Sequence, residues 1–204
     1  MNKIFYINLE KRRDRNKQML DLLKGQDFER IPAIEDDNGY IGCAYSHILA
    51  LTIAKEKKYP QVTILEDDFM FLDGYSFDTI YDGLLDIPFD ILLFCNDIKV
   101  TDLLPLTDRF VRVRNATWTS GYTIKSTLYD VLIQNLKDGI EGMKKHGHEE
   151  HEWIHRPFHL DVYWNKLWKD YIAISFCEII ATQRAGYSDI LKKDVDRKSK
   201  NDRR

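Results

Sequence analysis

Val62-Thr63-Ile64-Leu65-Glu66-Asp67-Asp68 is the stretch that decides the fold. Four apolar or β-branched residues in a row fit a strand covered on both faces, as in a parallel sheet. Pro60 just before them suits a strand entry. The run then ends in three consecutive carboxylates. Adjacent negative charges repel one another and need a counter-charge, and a divalent cation is the simplest one. Open α/β sheets bind ligands at the carboxyl ends of their strands. Oxygen-only ligands favour Mg²⁺ or Mn²⁺ over zinc. The residues alone admit two readings: an acidic metal clamp for a diphosphate, or an acidic turn on the surface.

Upstream, Ile4-Phe5-Tyr6-Ile7 predicts a first strand, which the chain leaves at Asn8-Leu9-Glu10. Lys11-Arg12-Arg13-Asp14-Arg15 then opens a helix with Met19, Leu22 and Leu23 as its apolar residues. Basic residues in a first turn oppose the helix dipole. An anionic ligand explains them better, because helix N-termini attract anions and guanidinium groups grip phosphate through two bonds. A solvated basic turn would carry the same residues. Residues 28–34 predict a second, short strand, and Asp36-Asp37-Asn38-Gly39 a turn. A helix follows from Gly42, with Cys43, Ala44, Ile48, Ala50, Leu51 and Ala54 at helical spacing. Ser46 and His47 fall in its first turns, where they either face a ligand or pack in the core.

Downstream, residues 69–78 read as loop, 79–85 as a short helix and 89–94 as a buried strand. Residues 110–114 alternate apolar and basic, as a half-exposed or edge strand does. Residues 117–124 form a strand broken by Gly121, a place for close approach of backbone or ligand. Ser126 is placed to cap a helix running through Leu136. Residues 138–159 are polar and hold five of the six histidines. Residues 161–171 look helical, and 171–176 form the last predicted strand. Strands alternating with helices, without repeat or linker, predict one α/β domain over residues 1–190, an open mixed sheet flanked by helices. Residues 191–204 form a basic tail without apolar periodicity, expected to be disordered. Seven of its last thirteen residues are Lys or Arg and three are Asp, which suits peripheral contact with an anionic membrane or acceptor.

The totals agree with a soluble enzyme-sized domain. A chain of 204 residues can bury a sizeable core, and 44% hydrophobic with 31% charged residues is ordinary for a globular protein. A net charge of −3 gives no argument for a nucleic-acid partner. No apolar run has the length of a membrane span, and the N-terminus turns polar too soon for a signal peptide. Cys43, Cys95 and Cys177 are widely spaced and odd in number, which reads as buried free thiols in a reducing, cytoplasmic setting.

Several stretches together resemble glycosyltransferase family 25, the family of lipooligosaccharide and collagen-hydroxylysine galactosyltransferases. They are Tyr6-Ile7-Asn8-Leu9 with Arg12-Arg13-Asp14-Arg15, Arg30-Ile31-Pro32-Ala33, Gly42-Cys43-Ala44-Tyr45-Ser46-His47, Ile64-Leu65-Glu66-Asp67-Asp68 and Gly121-Tyr122. Leu160-Asp161 and Tyr187-Ser188-Asp189-Ile190 extend the match toward the end of the chain. The resemblance implies a GT-A fold, a UDP-sugar donor, Mn²⁺ or Mg²⁺, and inversion at the anomeric carbon. The acceptor would be a glycan, a lipooligosaccharide or a protein. By position, Asp68 would hold the metal, and Glu66 would contact the ribose or a metal-bound water. Asn8, Arg12 and Arg15 would form the nucleotide side, and Ser46 and His47 would lie under the diphosphate or sugar. Inverting transfer needs a base for the acceptor hydroxyl. Asp161 is the candidate, with a helix N-cap as its alternative role. The His-rich segment has no counterpart in this family pattern.

Two other readings come from the residues. His151-Glu152-Trp153-Ile154-His155 fits the H-E-x-x-H pattern of zinc proteases. That pattern needs a helix holding both histidines on one face, and here Gly147 precedes and Arg156-Pro157 follows at once. The second is a domain that binds a sugar nucleotide without turnover, which the intact Glu66-Asp67-Asp68 argues against.

Overall fold

A computed structural model describes residues 3–81, 84, 87–95, 97–98, 103–146 and 157–196. In chain order the first half forms β1 (Lys3–Asn8), α1 (Arg13–Leu22), β2 (Phe28–Pro32), α2 (Gly39–Glu56), β3 (Gln61–Glu66), β4 (Phe69–Phe71) and α3 (Phe77–Ile80). There follow β5 (Ile91–Leu93), β6 (Asp97–Ile98), β7 (Leu103–Pro105), β8 (Phe110–Val113), β9 (Ala116–Thr117) and β10 (Gly121–Lys125). After α4 (Tyr129–His146) and α5 (Leu160–Tyr163) come β11 (Ala173–Phe176), β12 (Ala181–Gln183), β13 (Gly186–Ser188) and β14 (Lys193–Val195). The main sheet has the order β2-β1-β3-β10-β5-β11-β8-β7. Its first three strands are parallel, and β10 runs antiparallel between β3 and β5. This is the mixed α/β sheet that the alternating pattern predicts.

Alternation along the central strands splits the core into two layers. Phe5, Ile7, Val62, Ile64 and Tyr122 face α2 and α4, where they meet Leu51, Leu132, Leu136 and Trp164. Ile4, Tyr6, Leu65, Leu92 and Ile174 face the other way, onto Met19, Leu23, Phe69 and Phe94. Both faces of β3 are therefore covered, as its unbroken apolar run requires. The polar residue inside that run, Thr63, stands opposite Thr123 and shares a 2.6 Å hydroxyl–hydroxyl bond with it, so its polar group is satisfied.

Helix α2 starts three residues before the predicted Gly42, because Asn38 caps it by accepting from the Tyr40 N–H. The helix is apolar around much of its girth because it packs between the sheet and α4. At Gly42 a Cβ would stand 2.7 Å from the Ile34 carbonyl oxygen, so a small residue there lets the end of β2 lie against α2. Helix α4 continues ten residues past the predicted end at Leu136, since Ile140 and Met143 extend its buried stripe through the polar surroundings. At Gly142 a Cβ would fall 2.1 Å from the Phe158 ring, and that contact seats the segment leading into α5.

Other expectations change at the edges. β8 lies inside the sheet between β11 and β7, so the alternation of apolar and basic residues over 110–114 does not mark an edge strand. Residues 69–71 form β4, paired with β12 beyond the predicted last strand. Lys193–Val195, counted with the tail on sequence grounds, pairs with β13 as a hairpin, while residues 197–204 lie outside the described residues. His151-Glu152-Trp153-Ile154-His155 also lies outside them. All three cysteines are free; Cys95 is buried, and Cys43 and Cys177 are only partly so. No helix among the described residues is long and apolar enough to cross a membrane.

Gly121 heads β10 directly against the Phe69 ring, where a Cβ would stand 2.6 Å from two ring carbons. Phe69 is fully buried and boxed in by Phe71 and Phe94, so it has little room to yield. Gly121→Ala is expected to destabilise the protein by about 1–3 kcal/mol, the usual cost of overpacking. Urea denaturation measures it, and an unchanged midpoint would show that the ring moves aside freely.

Candidate active site

β1 and β3 end side by side at Asn8 and Glu66, and the chain turns through Asp67 and Asp68 into β4. The triplet thus sits at the carboxyl end of the parallel strands, beside the point where β10 reverses direction. Each carboxylate has its own protein partners. Glu66 Oε1 accepts from Thr119 Oγ1 at 2.7 Å and stands 3.5 Å from His47 Nε2. Asp67 accepts from Asn8 Nδ2 at 2.7 Å and from Arg15 Nη1 at 2.6 Å. Asp68 lies 3.5 Å from the same Arg15 nitrogen. Arg15 supplies one positive charge to the triplet from within the protein.

Burial dominates the electrostatics here and is offset unevenly. It pushes the Glu66 carboxyl up, but His47, Thr119 and Arg15 together outweigh it, so the net shift is downward. Asp67 keeps a net upward shift from burial, with Arg15 and Asn8 pulling against it. Burial works against the charged form of Arg15 as well, yet Asp68 and Asp67 raise its pKa overall. Arg184, whose N–H donates to the Asp68 carbonyl oxygen, is shifted down by burial despite the nearby Asp68 charge.

A cleft of about 250 Å³ opens above the triplet, and Lys11, Arg15, Glu66, Asp68 and Asp161 are among its walls. Trp118 and Thr119 line it. Trp118 adopts φ +75°, a left-handed conformation that a bulky side chain disfavours. Its N–H donates to Asp161 Oδ2 at 3.2 Å, so the first turn of α5 helps to hold it. Residues 188–191 line the cleft as well. Arg12 is committed there, with Nη1 2.6 Å from Asp189 Oδ2 and 3.0 Å from the Tyr187 carbonyl oxygen, and with Nη2 on Asp14.

Of the residues singled out from the sequence, Arg15, Ser46, Glu66, Asp68 and Asp161 line this one cleft. Ser46 Oγ is already in use, donating to the Gly42 carbonyl oxygen and accepting from the Ile34 N–H. Asn8, Arg12 and His47 stand outside the lining. Asn8 is buried beneath Asp67, and its side-chain oxygen accepts from Arg30 Nε. His47 is wholly buried, with Nδ1 2.9 Å from the Tyr122 hydroxyl. The N-cap of α5 is His159, and Asp161 falls in the first turn. Sequence reading missed Trp118 and Thr119, because a strand assignment over 117–124 hides the loop that carries them. It passed over Cys43 as a plain thiol, although its spacing of four from His47 places both on one helix face.

No protein-family model matches this sequence, and no curated protein matches it. Among solved structures, a glycosyltransferase involved in the glycosylation of the major capsid of PBCV-1 superposes with a TM-score of 0.50 at 11% identity, covering 91% of this chain and 93% of that one. A197 from STIV gives a TM-score of 0.48 at 12% identity, over 96% and 93% of the two chains. An apo UDP-glucose pyrophosphorylase gives 0.47 at 6% identity, over 90% and 74%. At such identity the likeness is one of fold: the chain is a single mixed α/β domain of GT-A-like architecture. The comparisons do not support membership of family 25 itself.

Proposed function

We propose that this protein is a metal-dependent, inverting glycosyltransferase that moves a hexose, galactose or glucose, from a UDP-sugar to a hydroxyl group of a glycan, lipooligosaccharide or protein acceptor. The observation that carries the proposal is the meeting of Asp68 and Arg15 on the wall of one cleft at the carboxyl end of β3. The motif resemblance to family 25 and the capsid glycosyltransferase's shared fold point the same way.

The donor set fits a hard divalent cation. Mg²⁺ is held by one or two carboxylates completed by substrate phosphates, and Asp68 with Glu66 offers that number of cleft-facing carboxylates. Asp67 is spoken for by Asn8 and Arg15. Mn²⁺ or Mg²⁺, when bound, supplies charge neutralisation at the departing diphosphate. The remaining chemistry belongs to the chain. Arg15 has a guanidinium beside the acidic triplet, ready to take a phosphate oxygen in place of a carboxylate. Asn8 and Arg12 act behind it, Asn8 by fixing Asp67 and Arg12 by fixing residues 187–189. Ser46 lines the cleft with His47 buried behind it, Glu66 reaches toward the ribose, and Asp161 takes the acceptor's proton. A cytoplasmic location, with membrane contact through the basic end, belongs to the same proposal.

A screen of UDP-sugars with the purified protein tests this. One donor should be hydrolysed in the presence of Mn²⁺ or Mg²⁺, and excess chelator should stop it. Tight UDP-sugar binding without turnover would favour a non-catalytic donor-binding domain. Neither binding nor turnover with any donor would sink the proposal.

A further inference from the structure

We infer that Cys43, His47 and Glu66 form a binding site for a borderline-soft divalent cation, zinc above all, at the floor of the cleft. The inference goes beyond the transferase reading and does not need it. Cys43 and His47 lie four residues apart on α2, so both side chains leave the same face of the helix. Glu66 comes to them from the end of β3. The sulfur, the imidazole nitrogen and a carboxylate oxygen all lie within 4.8 Å of one another.

A second observation points to a ligand. His47 has no exposed surface, and its Nε2 makes no hydrogen bond. The atom is aimed at Glu66 Oε1, 3.5 Å away, which is long for a hydrogen bond. A buried ring nitrogen left in that state is costly. Its other nitrogen sits 2.9 Å from the Tyr122 hydroxyl. When Nδ1–H donates there, Nε2 carries the free lone pair, the arrangement that outer partners impose on metal-binding histidines. Glu66 has the matching support from Thr119 Oγ1. Tetrahedral zinc ligands stand roughly 3.3–3.7 Å apart, so a side-chain movement of about 1 Å closes the set.

One thiolate, one imidazole and one carboxylate suit zinc better than Mg²⁺ or Mn²⁺. Cys43 and Glu66 both line the cleft, so a fourth coordination position would face it. Asp68 is not part of this set. The site shares Glu66 with the hard-cation contact proposed at Asp68 and differs from it in Cys43 and His47.

The test is metal binding by the full-length, chelator-treated protein, with Co²⁺ as a spectroscopic probe and Zn²⁺ as competitor. Wild type should bind one Co²⁺ with a thiolate-to-cobalt charge-transfer band, and Zn²⁺ should abolish it. Cys43→Ser should lose the band. His47→Gln should weaken zinc binding at least about tenfold, as loss of a ligand or its support does. Asp68→Asn should keep both band and affinity, even where it stops any sugar transfer, which separates this proposal from the transferase reading. Circular dichroism checks that each variant is folded. Because the cobalt band reports on wild type, misfolding of a variant leaves the main readout intact. Absence of the band in wild type, or zinc binding untouched by Cys43→Ser, overturns the inference; the latter would place zinc on the histidines of residues 146–159.

Discussion

Asp68→Asn is expected to abolish metal-dependent turnover of the sugar nucleotide and to leave the fold intact. A neutral amide binds a hard cation far less well than a carboxylate. Metal stabilisation of a departing phosphate contributes several kcal/mol, so its loss lowers the rate on the order of a thousandfold or more. The fold should survive because the contacts at this position are largely spared. The Asp68 carbonyl oxygen, which accepts from the Arg184 N–H, is unchanged by the substitution. Arg15 keeps its shorter bond to Asp67 at 2.6 Å and gives up only a 3.5 Å contact. Removing one carboxylate from an acidic triplet also relieves repulsion, so a small gain in thermal stability is the expected side effect. The measurements are donor hydrolysis across a Mn²⁺ titration and thermal melting of both proteins. Full activity in the variant, or in wild type with excess chelator, would rule out the metal-dependent mechanism.

The parts of this fold legible in the sequence are those encoded locally. β1 and β3 are read from apolar runs, and the acidic triplet is read as the end of a strand because four buried residues stop there. Spacing also locates α2, with Ser46 and His47 in its first turns. What escaped is non-local. Asp67 finds Asn8 and Arg15 from 59 and 52 positions away, so no window of sequence shows that the triplet brings its own cation. β8 alternates like an edge strand, yet β7 covers it from a stretch with no strand signal of its own. α4 runs on because two buried residues, Ile140 and Met143, suffice to hold a turn each, although the surrounding residues are polar. Trp118 is the clearest case: nothing in Thr117-Trp118-Thr119 announces a left-handed tryptophan, and the Asp161 carboxylate that accepts its N–H lies 43 positions away.

That contact sets the terms of the second large effect. Asp161→Asn is expected to lower sugar transfer by a factor on the order of a hundred to ten thousand, the usual cost of removing a general base. Donor affinity should hardly change, since Asp68, in the turn after β3, and Arg15, on α1, are untouched. Asparagine is the informative replacement. It keeps a side-chain oxygen for the Trp118 N–H, now accepted by Asp161 Oδ2 at 3.2 Å, while it cannot take up a proton. Capping does not confuse the outcome, because His159 occupies the N-cap of α5. Asp161→Ala would remove the Trp118 contact as well, so its loss of activity would not distinguish a base from a positioning residue. If Asp161 only positions Trp118, the asparagine variant retains transfer and the alanine variant loses it. The comparison needs UDP affinity by calorimetry beside the rate of transfer to acceptor or to water. Unchanged transfer in the asparagine variant would reject Asp161 as the base. Asp189 would be the next carboxylate to test: it also lines the cleft, although Arg12 already donates to its Oδ2 at 2.6 Å.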